Sequence, residues 1–247
     1  MPDRRGVLEL SLDGRRLNAR EGQTVLQVAR EHGVPIPTLC FLEGLSTWGS
    51  CRICMVEVGP QRVLRPACAT PVVEDMEIRT ESPRLRAHRR MILEMLFAEG
   101  NHVCAVCVAN EHCELQSAAA QAGMDHVRLE YAAPQRTVDA THDRYVFDPN
   151  RCILCTRCVR VCDEVEGAHV WDIAGRGESA HLIADMNVSW GQAGSCTDCG
   201  KCVTVCPTGA LFVRGTSTGE VRRAPDVVVR LTTARREHQW LPAGEGQ

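Results

Sequence analysis

Two stretches of the sequence repeat one cysteine spacing. "CILCTRCVRVC" carries Cys152, Cys155, Cys158 and Cys162, and "CTDCGKCVTVCP" carries Cys196, Cys199, Cys202 and Cys206, followed by Pro207. The C-x2-C-x2-C-x3-C spacing suits a [4Fe–4S] cubane: three close sulfurs hold three corners, and the fourth is carried away to a second cluster. Cys206 is therefore expected to join Cys152, Cys155 and Cys158, while Cys162 joins Cys196, Cys199 and Cys202. The first run has Asp163 where proline is usual. Zinc sites more often show two separated C-x2-C pairs.

A third set is Cys40, Cys51, Cys54 and Cys68, with Gly49 and Ser50 in "TWGSCRICMVEV" letting the backbone curl around sulfur. A C-x2-C pair with one cysteine upstream and one far downstream is the plant-type [2Fe–2S] pattern. Here ten residues separate the first two ligands instead of the usual four. These three sets use 12 of the 15 cysteines, which leaves Cys104, Cys107 and Cys113 in "NHVCAVCVANEHC". A fourth protein ligand there must be of another type. His102, two residues before Cys104, shares a side with it in extended chain. His112 adjoins Cys113 and is expected to point away from it. The set read here is His102, Cys104, Cys107 and Cys113, the alternative being a site completed by water.

The elements that must hold these sulfurs read as α+β. Leu8, Leu10 and Leu12 alternate before Asp13-Gly14, a hairpin signal. Thr24 is placed to cap a short helix that stops at Gly33. Strand-like "MVEV" (55–58) and "MEIRT" (76–80) follow, which suggests a β-grasp domain. Ser82-Pro83 opens a helix through "RLRAHRRMILEMLFAEG", with Leu85, Ile92 and Leu96 as its apolar stripe. Its basic stretch "RLRAHRR" reads as a solvated face. The expected division is a β-grasp [2Fe–2S] domain over 1–80 and a helical [4Fe–4S] domain over 81–130. A linker follows over 131–150, then a bacterial 2[4Fe–4S] ferredoxin-like domain over 151–212 and a tail over 213–247.

Composition narrows the function. Net charge is −3, from 28 basic and 31 acidic residues, which gives no electrostatic case for nucleic acid or a membrane surface. The N-terminus lacks an apolar run suited to a secretory signal, and no stretch approaches the ~18 consecutive apolar residues of a membrane span. An odd cysteine count also suits metal ligation in a reducing compartment better than a disulfide framework. The expectation is a soluble, cytoplasmic chain. "GRGESA" (175–180) fits a dinucleotide fingerprint, but "HLIADM" after it alternates like a strand where a helix is required.

The order of sites resembles the N-terminal part of the large iron–sulfur subunit of complex I and the accessory region of iron-only hydrogenases. Those relatives place the histidine four residues before the first cysteine. The shorter His102-x-Cys104 in "EGNHVCAVCVANEHCELQ" is similar to the small diaphorase subunit of bidirectional NAD(P)-linked [NiFe] hydrogenases. "NRCILCTRCVRVCDEVEGAHVWD" and "GVPIPTLC" are similar to it as well, and the resemblance covers about positions 7–212. It implies an electron wire of one [2Fe–2S] and three [4Fe–4S] clusters with no catalytic residue of its own. The implied partners are a subunit that binds flavin (FMN) and NAD(P), and the small and large [NiFe] hydrogenase subunits. The runner-up is the same wire in a complex I-like or formate dehydrogenase assembly. A reading of another class is a zinc-stabilised interaction module.

Overall fold

The computed structural model describes residues 6–132 and 135–237, so the first five and last ten residues of the expected domains lie outside it. The chain forms two compact units. One holds the described residues up to Phe41 together with Thr47–Met95 and Ala118–His126; the other holds Leu42–Ser46, Leu96–Ser117 and the described residues from Val127 onward.

The first unit starts from the hairpin β1 (Val7–Leu12) and β2 (Arg15–Arg20). Its turn residues Asp13 and Gly14 both take positive φ, 51° and 81°, as the right-handed twist of a two-residue hairpin demands. Thr24 caps α1 (Val25–Glu31), and Gln27 returns the bond to the Thr24 N–H. Val25, Leu26, Val28 and Ala29 are buried, so α1 is apolar on the face it turns to the core. β3 (Met55–Val58), β4 (Val63–Pro66) and β5 (Glu77–Arg79) complete a sheet of order β2-β1-β5-β3-β4, with β1 parallel to β5. Leu10, Leu12, Leu26, Val56 and Ile78 form its core. A helix packed with a mixed sheet in this order is a β-grasp, and the fold class is α+β.

α2 (Pro83–Glu99) begins where expected, with the Ser82 hydroxyl accepting the Leu85 N–H at 3.1 Å. Its basic stretch is not a uniform solvated face. Arg84 and Arg86 are exposed, but Arg89 is buried, one helical turn from the fully buried Leu85. Its guanidinium donates to Glu81 at 3.0 Å, to the Thr80 carbonyl at 2.7 Å and to the Met55 carbonyl at 3.3 Å. Arg89 thus ties α2 to the ends of β3 and β5.

In the second unit α3 starts at Glu114 (Glu114–Gln121). The stretch expected as a linker contains β6 (Tyr145–Phe147), all three residues buried and paired antiparallel with β9 (Leu211–Val213). Two short helices, α4 (Arg157–Arg160) and α5 (Lys201–Val205), follow the two cysteine loops. β7 (Trp171–Ala174) and β8 (His181–Ala184) form a hairpin. The glycine-rich "GRGESA" is its connection, with no helix after it, so it holds no dinucleotide fold. The expected tail contains α6 (Asp226–Arg236), which buries Val228 completely in the core with Val161, Val165, Trp171, Trp190 and Leu211. Among the described residues no helix is long and apolar enough to cross a membrane.

Arg89→Met keeps most of the buried stem and removes the donors. Two carbonyls are then left without this partner, and the β-grasp unit is expected to lose about 1–3 kcal/mol in chemical denaturation. Arg86→Met, on the exposed side of the same helix, is expected to change stability by less than about 0.5 kcal/mol.

Candidate metal centres

The hairpin of β3 and β4 positions two sulfurs of the first set. Its register pairs Met55 with Pro66, so Cys54 and Cys68 flank the open end of the ladder. Their Sγ atoms are 3.4 Å apart and buried. Cys40 and Cys51 form a second sulfur pair. A hydrogen bond from the Cys51 side chain holds the Cys40 thiol down at about 5 and pushes Cys51 up. The Cys54–Cys68 pair behaves the same way, with Cys54 held at about 7 and Cys68 pushed up. Each pair already carries sulfur adjacent to sulfur, as two ligands of one iron must be. Arg52, between Cys51 and Cys54, takes φ 56°, a left-handed turn that costs on the order of 1 kcal/mol and folds the loop around the site.

His102, Cys104, Cys107 and Cys113 line one small cavity, together with Phe97, Arg151 and Gly209. Cys104 opens a single helical turn, and the Cys107 N–H bonds back to the Cys104 carbonyl at 3.0 Å. Cys113 precedes α3, where its sulfur accepts the N–H groups of Leu115 and Gln116; burial nevertheless pushes its thiol up to about 11. The His102 ring packs edge-on to Phe97 at 5.3 Å. Its Nε2 is buried with no hydrogen-bond partner. The ring's bond to the Leu96 carbonyl therefore comes from Nδ1, which fixes the tautomer and leaves the Nε2 lone pair for a metal. Burial and then the Arg151 charge push His102 down to about 4, so the imidazole is neutral at neutral pH. His112 is exposed and does not line the cavity.

The two repeated runs exchange their last cysteines. Cys152, Cys155, Cys158 and Cys206 line one small cavity; Cys162, Cys196, Cys199 and Cys202 line another. Each loop is curled by two left-handed residues at equivalent places. Leu154 and Thr156 have φ 51° and 61°; Asp198 and Gly200 have φ 57° and 68°. The fourth cysteines leave differently. Pro207 follows Cys206 and ends α5, since proline cannot continue the hydrogen-bond ladder. Asp163 lets the first run continue as a π-helical turn (Val161–Glu166) that carries Cys162 and closes at left-handed Gly167. Burial pushes Cys152 and Cys155 up to about 12 and raises Cys158, Cys162 and Cys202 as well. Three of the quartets surround a cavity, an arrangement that suits a polynuclear group.

The chain matches a 2Fe-2S iron-sulfur cluster binding domain over residues 6–83 and the NADH-ubiquinone oxidoreductase-G iron-sulfur binding region over 89–128. Residues 146–212 match the ferredoxin-like domain of NADH-quinone oxidoreductase subunit 3. The gamma subunit of the NAD-reducing hydrogenase HoxS of Cupriavidus necator is 33% identical over 83% of this chain and 86% of its own length. The chain belongs to this hydrogenase-subunit family. A chain of the crystal structure of an NAD+-reducing [NiFe]-hydrogenase in the H2-reduced state is 36% identical, with a TM-score of 0.78 over 85% of this chain and 88% of that one. The NADP-reducing hydrogenase subunit HndD of Solidesulfovibrio fructosivorans is 36% identical over 92% of this chain, which spans 40% of that subunit's length. The family carries 2Fe-2S and 4Fe-4S binding domains, and the donor chemistry of each quartet fits such a group.

Several residues at these sites carry no spacing signal. Arg157 is buried beside the Cys152 set and paired in a fork with Glu114 at 2.6 and 2.8 Å. Gly209 has one signal, its position in "CPTGA". A Cβ there would lie 2.5 Å from the Cys107 sulfur. Gly209→Ala must therefore displace Cys107. On anaerobic reconstitution this variant is expected to lose one [4Fe–4S] signal and about four irons per chain relative to wild type, with the other centres loaded.

Proposed function

We propose that this chain is a cytoplasmic electron-relay subunit of an NAD(P)-linked [NiFe] hydrogenase, without a catalytic site of its own. Its partners in that reading are a flavin-bearing, NAD(P)-binding diaphorase subunit and the hydrogenase subunits. The carrying observation is that four quartets, built from the 15 cysteines and His102, each gather at one place in the fold. Cys40, Cys51, Cys54 and Cys68 would hold a [2Fe–2S] cluster. His102, Cys104, Cys107 and Cys113 would hold a [4Fe–4S] cluster, as would Cys152, Cys155, Cys158 and Cys206. Cys162, Cys196, Cys199 and Cys202 would hold a third. Bound there, such clusters supply one-electron chemistry at potentials the protein tunes.

The chain's own residues do the tuning. His102 brings a neutral nitrogen where the other sites bring a thiolate, so its site carries one negative charge fewer and is easier to reduce. Arg157 and Arg160 are both buried beside Cys155. Their positive charge favours added electrons at that site. The family's complex I-named domains support a second reading, the same relay in a complex I-like assembly; the copurifying subunits separate the two.

The test is anaerobic. The isolated, iron–sulfur-loaded chain is expected to bleach with dithionite but not with NADH, and to take up no hydrogen. Addition of a flavin-bearing diaphorase subunit should then let NADH bleach it. Rapid NADH bleaching of the chain alone would refute the relay reading. Cys206→Ser is expected to alter the electron paramagnetic resonance (EPR) signal of the Cys152–Cys155–Cys158 centre, and that of the neighbouring centre less. A larger effect on the neighbour would reverse the ligand assignment.

A further inference from the structure

The chain has few aromatic rings, yet Tyr145, Trp171 and Trp190 all line the cavity of Cys162, Cys196, Cys199 and Cys202. His142 packs into the same group, with its ring centroid 5.0 Å from Tyr145 and 4.7 Å from Trp190. It is buried, and its surroundings fix its proton. The Arg144 N–H donates to Nδ1 at 3.1 Å, so Nδ1 carries a lone pair and the ring hydrogen sits on Nε2. Nε2 lies 3.7 Å from the Cys196 sulfur and 3.6 Å from the Asp198 Oδ1. Arg144 holds the other Asp198 oxygen at 2.9 Å, which keeps this carboxylate in place behind the contact.

We propose that His142 is a redox-tuning residue: its Nε2–H donates to the Cys196 thiolate and raises the potential of the cluster held with Cys162, Cys199 and Cys202. The inference rests on the cluster reading above. Reduction adds negative charge that spreads onto the ligand sulfurs, so an N–H aimed at one of them stabilises the reduced state more than the oxidised. Other donors converge on this site. The Val170 N–H reaches the Cys162 sulfur at 3.3 Å, and the Trp171 side chain hydrogen-bonds to Cys202. The indole nitrogen of Trp190 is buried without a partner. In contrast, the site of Cys152, Cys155, Cys158 and Cys206 has the Arg157 and Arg160 charges beside it, and among the described residues no ring donor lines it. The two halves of one repeated motif are thus tuned by different means.

The experiment is an anaerobic redox titration of the full, reconstituted chain, followed by EPR, for wild type, His142→Phe and His142→Gln. The Cys199→Ser variant identifies the signal of the centre in question. Phenylalanine keeps a ring without a donor, whereas glutamine keeps an N–H. The phenylalanine variant is expected to shift this centre alone by about tenfold in its reduction equilibrium, 59 mV for one electron, toward harder reduction. Glutamine should recover most of the shift. A fully loaded His142→Phe protein with all centres at wild-type potential would overturn the proposal. Where that variant fails to load, wild-type protein labelled with 15N-histidine decides. Weak nitrogen coupling to this centre, distinct from direct ligation by His102, supports the hydrogen bond, and its absence overturns it. Failure of wild type to take up iron at all would instead overturn the cluster reading, and this inference with it.

Discussion

A thiolate buried away from water is unstable unless positive charge meets it, and that constraint organises this fold. Where the sulfurs are most enclosed, at Cys152, Cys155, Cys158 and Cys202, burial raises the thiols far above neutrality. Without metal these are neutral groups lining cavities. Metal binding deprotonates such ligands and ties together the segments that carry them, so metal binding and folding of the second unit are coupled. The β-grasp unit is different. Its sulfurs already stand in two hydrogen-bonded pairs, one of them at the end of the β3–β4 ladder, so it is better prepared before iron arrives.

The two C-x2-C-x2-C-x3-C runs were the most legible part of the sequence, because their spacing fixes both the loop and the direction of the fourth sulfur. The exchange of Cys162 and Cys206 between cavities follows from that local geometry. Cys68 was harder to place. Its position depends on β4, and "VLRP" has neither alternation nor β-branched richness to announce a strand; it is a strand because the register with β3 makes it one. β6 was hidden for a similar reason. Three apolar residues between polar neighbours resemble a linker until β9, more than 60 residues later, supplies the partner. His142 sat in the same stretch, so nothing local pointed to its sulfur contact.

The left-handed residues show how the two cysteine loops were matched by different chemistry. Gly200 adopts φ 68° without steric cost, and its lack of a side chain admits Tyr145, whose hydroxyl would lie 2.5 Å from a Cβ. Thr156 holds the equivalent place at φ 61°, a conformation that costs a β-branched residue more. Its hydroxyl accepts from the Arg160 Nε at 3.2 Å, and the same guanidinium reaches the Cys155 carbonyl at 3.3 Å and the Ser46 carbonyl at 2.5 Å. A glycine there would relieve the strain and lose the hydroxyl that orients Arg160. The strain at Thr156 is therefore tied to where a positive charge sits. In the second loop the corresponding space is given to the Tyr145 ring, and His142 lies close to the Cys196 sulfur. One backbone motif thus carries two electrostatic environments, and the residue at the left-handed position helps decide which one each sulfur quartet receives.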